Sequence, residues 1–156
     1  MRKQRAIKRP IIPDPLYQST LITQFIRQVM KKGKKNLAQK IVYSTLSDLE
    51  KKNKTIKPLE TFEKALENLK PLLELRSRKV GGARYQIPVK VTPERQITLA
   101  LRWLIETAQK RSEKMMIVRL SEELLQAYKK EGNAFKKKES IHKMAEANRA
   151  FAYYSW

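Results

Sequence analysis

The chain contains no cysteine. That one absence removes disulfides, thiolate nucleophiles and every cysteine-ligated zinc or iron–sulfur site. A single histidine, His142, excludes a multi-histidine metal cluster and leaves little for imidazole acid–base chemistry. Glycine is scarce too. The one adjacent pair, Gly81-Gly82, lacks the Gly-Lys-Ser/Thr of a phosphate-cradling loop. No stretch approaches the roughly 18 apolar residues that a spanning helix needs. The basic N-terminus, Met1 to Arg9, has no apolar run behind it, so a secretory signal is not expected and the protein should act where it is made. Acid is the last shortage: 15 Asp and Glu stand against 35 Lys and Arg, a net charge of +20. Such a charge repels itself and calls for a polyanionic partner, nucleic acid first and an anionic membrane surface second.

What is present is enough for one folded domain. Of the 156 residues, 41% are hydrophobic, and a chain of this length buries roughly 68–70% of its unfolded surface without metal or disulfide. The cations fall in clusters. Arg2, Lys3, Arg5, Lys8 and Arg9 make a basic arm over residues 1–12, ahead of a domain over 13–156. Lys31, Lys32, Lys34 and Lys35 surround Gly33, and Arg76, Arg78, Lys79, Arg84 and Lys90 have only Glu74 among them. Separated clusters describe a footprint better than a device for solubility.

The periodicity predicts a mainly α domain of about six helices with a protruding β-hairpin. Ser19 opens a helix with Ile22, Phe25, Ile26 and Val29 inward, and Lys35–Lys52 forms a second. Pro58 starts a third, stopped by Pro71, and Thr92-Pro93-Glu94 supplies cap, first-turn proline and first-turn acid for a fourth. A fifth is expected from Ser112 with Gly132 as its stop, and a sixth from Asn133 with Ile141, Met144 and Ala145 inward. Residues 72–91 alternate like two strands. A three-residue turn over 81–83 would pair Leu73 with Val91 and separate an apolar face from one carrying Arg76, Arg78, Arg84 and Gln86, with Lys79 and Tyr85 on the other.

The tip of that ribbon has nothing apolar to bury, so it reads either as a solvated loop or as a basic finger whose arginines meet phosphates and whose Tyr85 stacks on a base. Charge clustering favours the finger. Lys136-Lys-Lys138 at the start of the last helix opposes the helix dipole and would welcome a phosphate. His142 is expected to pair with Glu139 on its own helix, and Glu122-Glu123 to lie on a solvated face. No catalytic constellation, cofactor site or metal site is discernible. A free-standing DNA-bending protein would concentrate base-reading side chains on one recognition helix, and a membrane-surface helix would carry a wide face of Trp, Phe and Leu. Neither pattern occurs here.

Several stretches together resemble one family. They are Pro13-Asp-Pro-Leu-Tyr17, Gly33-Lys-Lys35, Phe62-Glu-Lys-Ala-Leu-Glu-Asn68, Arg76-Ser-Arg-Lys-Val-Gly-Gly82, Tyr85-Gln-Ile-Pro88, Leu99-Ala-Leu-Arg-Trp103 and Lys143-Met-Ala-Glu-Ala-Asn-Arg-Ala-Phe151. In this order, over about residues 8–156, they are similar to the seventh small-subunit ribosomal protein of the bacterial and organellar type. The resemblance implies a six-helix domain with a β-ribbon that binds the 3′ domain of small-subunit rRNA and helps assemble the subunit head. It implies neighbouring ribosomal proteins of head and platform, with exit-site tRNA and mRNA close to the hairpin residues Lys79, Gly81, Gly82, Arg84 and Tyr85. It makes Lys34, Lys35, Arg76, Arg78, Arg95, Arg102, Arg111, Lys136 and Lys137 expected rRNA contacts beside the arm. No enzyme, cofactor or membrane is implied, and the location is the ribosome of a bacterial cytoplasm or plastid stroma. Gln96 and Gln109 stand where relatives commonly carry Arg, and Ser155 replaces a charged residue near the end.

Overall fold

The computed structural model describes residues 6, 9–52 and 56–154; Arg2, Lys3, Arg5, Lys8 and Ser155 lie outside them. In chain order the elements are α1 (Thr20–Val29), α2 (Lys35–Lys52), α3 (Pro58–Leu69), β1 (Leu73–Val80), β2 (Ala83–Lys90), α4 (Pro93–Gln109), α5 (Met116–Tyr128) and α6 (Gly132–Ala147). A 3-10 turn over Arg149–Tyr154 follows. This is the expected mainly α domain with one antiparallel hairpin.

The helices form where the apolar spacing put them. Ile22, Phe25, Val42, Leu46, Phe62, Leu66, Leu101, Leu104, Leu120 and Leu124 join one core, with the Phe25 and Phe62 rings 5.1 Å apart. The proline starts of α3 and α4 also stand as read, because Pro58 and Pro93 need no amide partner in the first turn. A second, smaller cluster of Val91, Leu99, Trp103 and Ile141 ties α4 and α6 to the base of the hairpin.

Four local expectations need correction. The fifth helix begins at Met116, not Ser112, because Arg119 donates from Nε to the Glu113 carbonyl and keeps the preceding loop out of the helix. Its stop is Lys130, which takes the left-handed φ of 62°. The Lys130 amide bonds the Ala127 carbonyl at 3.1 Å and the Glu131 amide bonds the Gln126 carbonyl at 2.8 Å. That paired arrangement closes a helix end. Gly132 instead opens α6, with Glu131 rather than Asn133 at the cap position. A Cβ on Gly132 would lie 2.9 Å from that of Gln126, so the crossing from α5 to α6 requires glycine. Along α6 only Ala134 and Ala145 are buried, and Met144, expected inward, is 45% exposed.

The hairpin takes the register that the apolar alternation disfavours. Gly81 and Gly82 form a two-residue turn, with φ of 57° and 89°, and Val80 pairs with Ala83, Arg76 with Ile87, and Leu73 with Lys90. Two consecutive positive φ values match the right-handed twist of the strands, which a two-residue turn of ordinary negative φ would splay. One face therefore holds Glu74, Arg76, Arg78, Tyr85, Ile87 and Val89, and the other Leu75, Lys79, Arg84 and Gln86. The mixed face tolerates burial of Glu74 because arginines neutralise it, as described below.

Candidate nucleic-acid interface

Helix α4 is the spine of the candidate interface. Leu101, Leu104 and Ala108 face the core, while Arg95, Arg102 and Gln109 recur every seven residues on the exposed side. Arg95 lies at the hairpin end, where its Nε donates to Glu74 Oε2 at 3.2 Å. Arg102 makes no ion pair among the described residues. At the other end Gln109 shares a groove of about 420 Å³ with Lys31, Lys34 and Arg119, over Val29, Leu37, Ile41, Ile105 and Met116. No carboxylate lines this groove.

Local backbone chemistry presents the lysines. Lys32 and Gly33 both take positive φ, 52° and 74°, and the Lys34 amide bonds the Lys31 carbonyl at 3.1 Å. The chain thus reverses tightly between α1 and α2 with Lys31, Lys34 and Lys35 exposed. Arg119 was not among the sequence-based contacts. Besides the Glu113 carbonyl it donates from Nη1 to the Gln109 carbonyl at 3.2 Å, so its hydrogen bonds go to neutral oxygens, and the nearest carboxylate that feels its charge is that of Glu113. Arg119 lines the same groove as Gln109. Inside an amphipathic helix an arginine at this position looks like any other polar residue, and only the packing of α5 on α4 reveals it.

In the hairpin the cations divide. Glu74 is 8% exposed. Its Oε1 accepts from Arg76 Nε and Nη2 at 2.7 and 2.6 Å, and its Oε2 from Arg95. Burial would raise this carboxyl, but the two guanidinium groups outweigh it and hold it below the ordinary value of 4.5. Nearer the tip Arg78 lies opposite Tyr85, and Lys79 lies opposite Arg84 with both exposed. Like charges facing each other across a ladder are unfavourable. Tyr85 is not a free finger-tip ring: it packs on Phe151 at 5.0 Å and Tyr154 at 6.2 Å.

Two other expected contacts are engaged inside the protein. Arg111 donates from Nη1 to Glu123 Oε2 at 2.7 Å and Gln126 Oε1 at 3.0 Å, and from Nε to Glu113 Oε1 at 3.1 Å. Glu123 is fully buried, and its Oε1 accepts the Ala134 amide at 2.8 Å. The anion at the start of α6 is therefore the protein's own carboxylate, and Glu123 is no part of a solvated face. Lys137, in the second turn, pairs with Glu106 at 2.5 Å and lies 5.9 Å from the Trp103 ring centre. Lys138 donates to the Asn68 carbonyl at 2.6 Å, and Lys136 stays exposed. His142 does not pair with Glu139. Its Nε2 accepts the Leu72 amide at 3.1 Å, and burial, with Lys138 adding to it, lowers its pKa.

Among the described residues no group of three or more metal-ligating side chains converges, and no helix is long and apolar enough to cross a membrane. A family model described as ribosomal protein S7p/S5e matches residues 1–149. The chain is 53% identical to the small ribosomal subunit protein uS7 of Nautilia profundicola, over the full length of both chains. It is 52% identical to that of a Sulfurovum species, again over the whole of both. The protein of the same name from Bdellovibrio bacteriovorus is 50% identical over 99% of each chain.

Proposed function

The chain belongs to the ribosomal protein S7p/S5e family and is a non-enzymatic structural constituent of the small ribosomal subunit; from that premise we propose how it holds RNA. The binding surface starts at the arm (Arg2, Lys3, Arg5, Lys8, Arg9) and takes in Lys34 and Lys35. It continues along Arg102 and Arg95 to Arg76 and Arg78 of the ribbon, with Lys136 at its margin. Arg119 and Lys31 extend it. The partner is the 3′ domain of small-subunit rRNA in the subunit head. Neighbouring proteins of head and platform adjoin it, and exit-site tRNA and mRNA pass near Lys79, Gly81, Gly82, Arg84 and Tyr85. The ribosome is that of a bacterial cytoplasm, the compartment the bacterial relatives suggest, with the plastid stroma as the alternative.

One observation carries this reading: an exposed cationic stripe on α4 runs from the hairpin into a groove rimmed by Lys31, Lys34 and Arg119 and free of carboxylates. The mechanism is neutralisation. Lys and Arg displace condensed counterions from the phosphates, and rRNA helices that would repel one another can then approach. Arg111 and Lys137 already have carboxylate partners, so in this scheme they shape the surface from below.

Filter binding of a 3′-domain rRNA transcript, beside a DNA duplex of equal length and anionic liposomes, tests the assignment. The transcript should bind most tightly, and Arg102→Ala and Lys34→Ala should each weaken it with unchanged stability. Equal binding of DNA and transcript, or pelleting with liposomes at physiological salt, would overturn it.

A further inference from the structure

A carboxylate stands within the proposed RNA surface, and it is the buried member of its cluster. Glu74 on β1 reaches Arg76 of the same strand and Arg95 of α4, and each of its oxygens serves one arginine. Oε1 accepts from Arg76 Nε at 2.7 Å and Nη2 at 2.6 Å, and Oε2 accepts from Arg95 Nε at 3.2 Å. The Glu74 side chain is 11% exposed, against 54% for Arg76 and 45% for Arg95. The carboxylate thus lies behind two guanidinium groups that stay half in solvent. A guanidinium carries five N–H donors, so both arginines keep donors that Glu74 does not use.

For arginines needed only as cations, Glu74 would be a defect. A negative charge among phosphates repels them, and burying it costs desolvation. What the carboxylate supplies is order. A long side chain free on the surface samples many rotamers and must be immobilised when a ligand arrives. Gripped through one edge by a buried carboxylate, both guanidinium groups are immobilised in the free protein, and their planar forks stay oriented. The same bonds tie the base of the ribbon to α4. We infer that Glu74 is a positioning residue for rRNA, holding Arg76 and Arg95 as a pair whose remaining N–H groups clasp one phosphodiester. Two guanidinium groups and one carboxylate leave a single positive charge, which matches the single negative charge of that phosphate. The inference rests on the RNA-binding reading above and gives an acid a part in it.

The test is filter binding of the 3′-domain transcript by full-length variants at one salt concentration. Affinity is expressed per folded molecule, with the folded fraction taken from urea unfolding. Glu74→Gln removes a negative charge from the surface, so charge alone predicts tighter binding. Positioning predicts the opposite sign: affinity should fall at least about tenfold, the equivalent of one lost charge-assisted hydrogen bond. Glu74→Asp keeps the charge but shortens the reach by a methylene, and it should weaken binding in the same direction. With Arg76→Ala and Arg95→Ala already in place nothing is left to position, and adding Glu74→Gln should tighten binding by removing repulsion alone. Should Glu74→Gln not fold, Glu74→Asp decides. Binding by either variant that is tighter than the parent's or within about twofold of it would overturn the positioning role, as would an equal loss in the arginine-free background. Those results with a parent protein that holds the transcript refute the positioning role alone. If the parent protein does not bind the transcript, the RNA-binding reading falls and the positioning role with it.

Discussion

Glu123→Ala would cut two links at one place. The carboxylate is fully buried, bonds Arg111 at 2.7 Å on one oxygen and accepts the Ala134 amide at 2.8 Å on the other. Its loss leaves a buried backbone donor unsatisfied, which costs about 1–3 kcal/mol. It also leaves a guanidinium whose side chain is only 15% exposed with Glu113 as its one remaining carboxylate partner. Breaking one side of a buried pair typically costs about 3–5 kcal/mol, and because the terms overlap, that range is the expectation for the whole change. Arg111→Ala should cost a similar amount, since it strands the Glu123 charge. Glu123→Gln keeps an oxygen for Ala134 and should cost about 1–3 kcal/mol. Urea unfolding at constant m-value reads all three, and the double variant should be less than additive. The alternative for Arg111 is a phosphate contact. If Arg111→Ala shifts stability by less than about 0.5 kcal/mol while lowering the salt slope of rRNA binding by about one contact, the internal assignment is refuted.

Three further outcomes follow from the same geometry. Trp103 is 6% exposed beside Val91, Leu99 and Ile141, so Trp103→Ala should cost about 3–5 kcal/mol in urea unfolding, with rRNA affinity per folded molecule preserved. Lys79→Ala relieves the like-charge pairing with Arg84, so stability should hold or rise by about a few tenths of a kcal/mol while the salt slope of rRNA binding falls by about one. Neutral His142 accepts the Leu72 amide, and its pKa lies below the ordinary 6.5. The folded state therefore binds fewer protons than the unfolded one, and stability complete above pH 6.5 should decline as pH falls toward the lowered folded value. His142→Ala should flatten urea midpoints over that window.

What the sequence made legible was local. The start of α4 could be read because Thr92, Pro93 and Glu94 act within one turn, and the core faces of α1 and α3 because Ile22, Phe25, Phe62 and Leu66 repeat with the helical period. The hairpin register was not legible. Sorting side chains by polarity assigns Glu74 to an outer face, and what permits its burial beside Ile87 and Val89 is Arg95, on an element 21 residues away. Glu122 and Glu123 are one position apart and look alike in the chain. The first pairs with Lys52 at the surface at 2.6 Å, and the second, rotated about 100° around α5, enters the protein to meet Arg111 and α6. Among the proposed site residues, charge clustering and the family motifs point to the lysine loop and the α4 arginines. Only the packing of α5 on α4 adds Arg119 to the proposal, and Arg111 is held by carboxylates instead, because which cations are free depends on which carboxylates reach them in three dimensions.

That division makes salt act in opposite directions on folding and on binding. Glu74, Glu106, Glu113, Glu122, Glu123 and Asp48 are each paired with a Lys or Arg of the chain itself. With only 15 acids in the chain, the outer surface keeps a large excess of positive charge. In the free protein that excess repels itself and opposes the compact state, and added salt screens it, the Debye length shrinking as ionic strength rises. In the complex the same charges have displaced counterions from phosphates, and added salt returns them. Raising the concentration from about 50 to 200 mM should therefore raise the urea midpoint of the free protein while lowering rRNA affinity by orders of magnitude. A chaotrope-free salt such as potassium chloride, titrated in parallel in both assays, makes the comparison. Were the excess cations already matched within the fold, salt would weaken the internal pairs first, the midpoint would fall, and rRNA affinity would stay nearly flat. That pair of results would reject the electrostatic mechanism at its root.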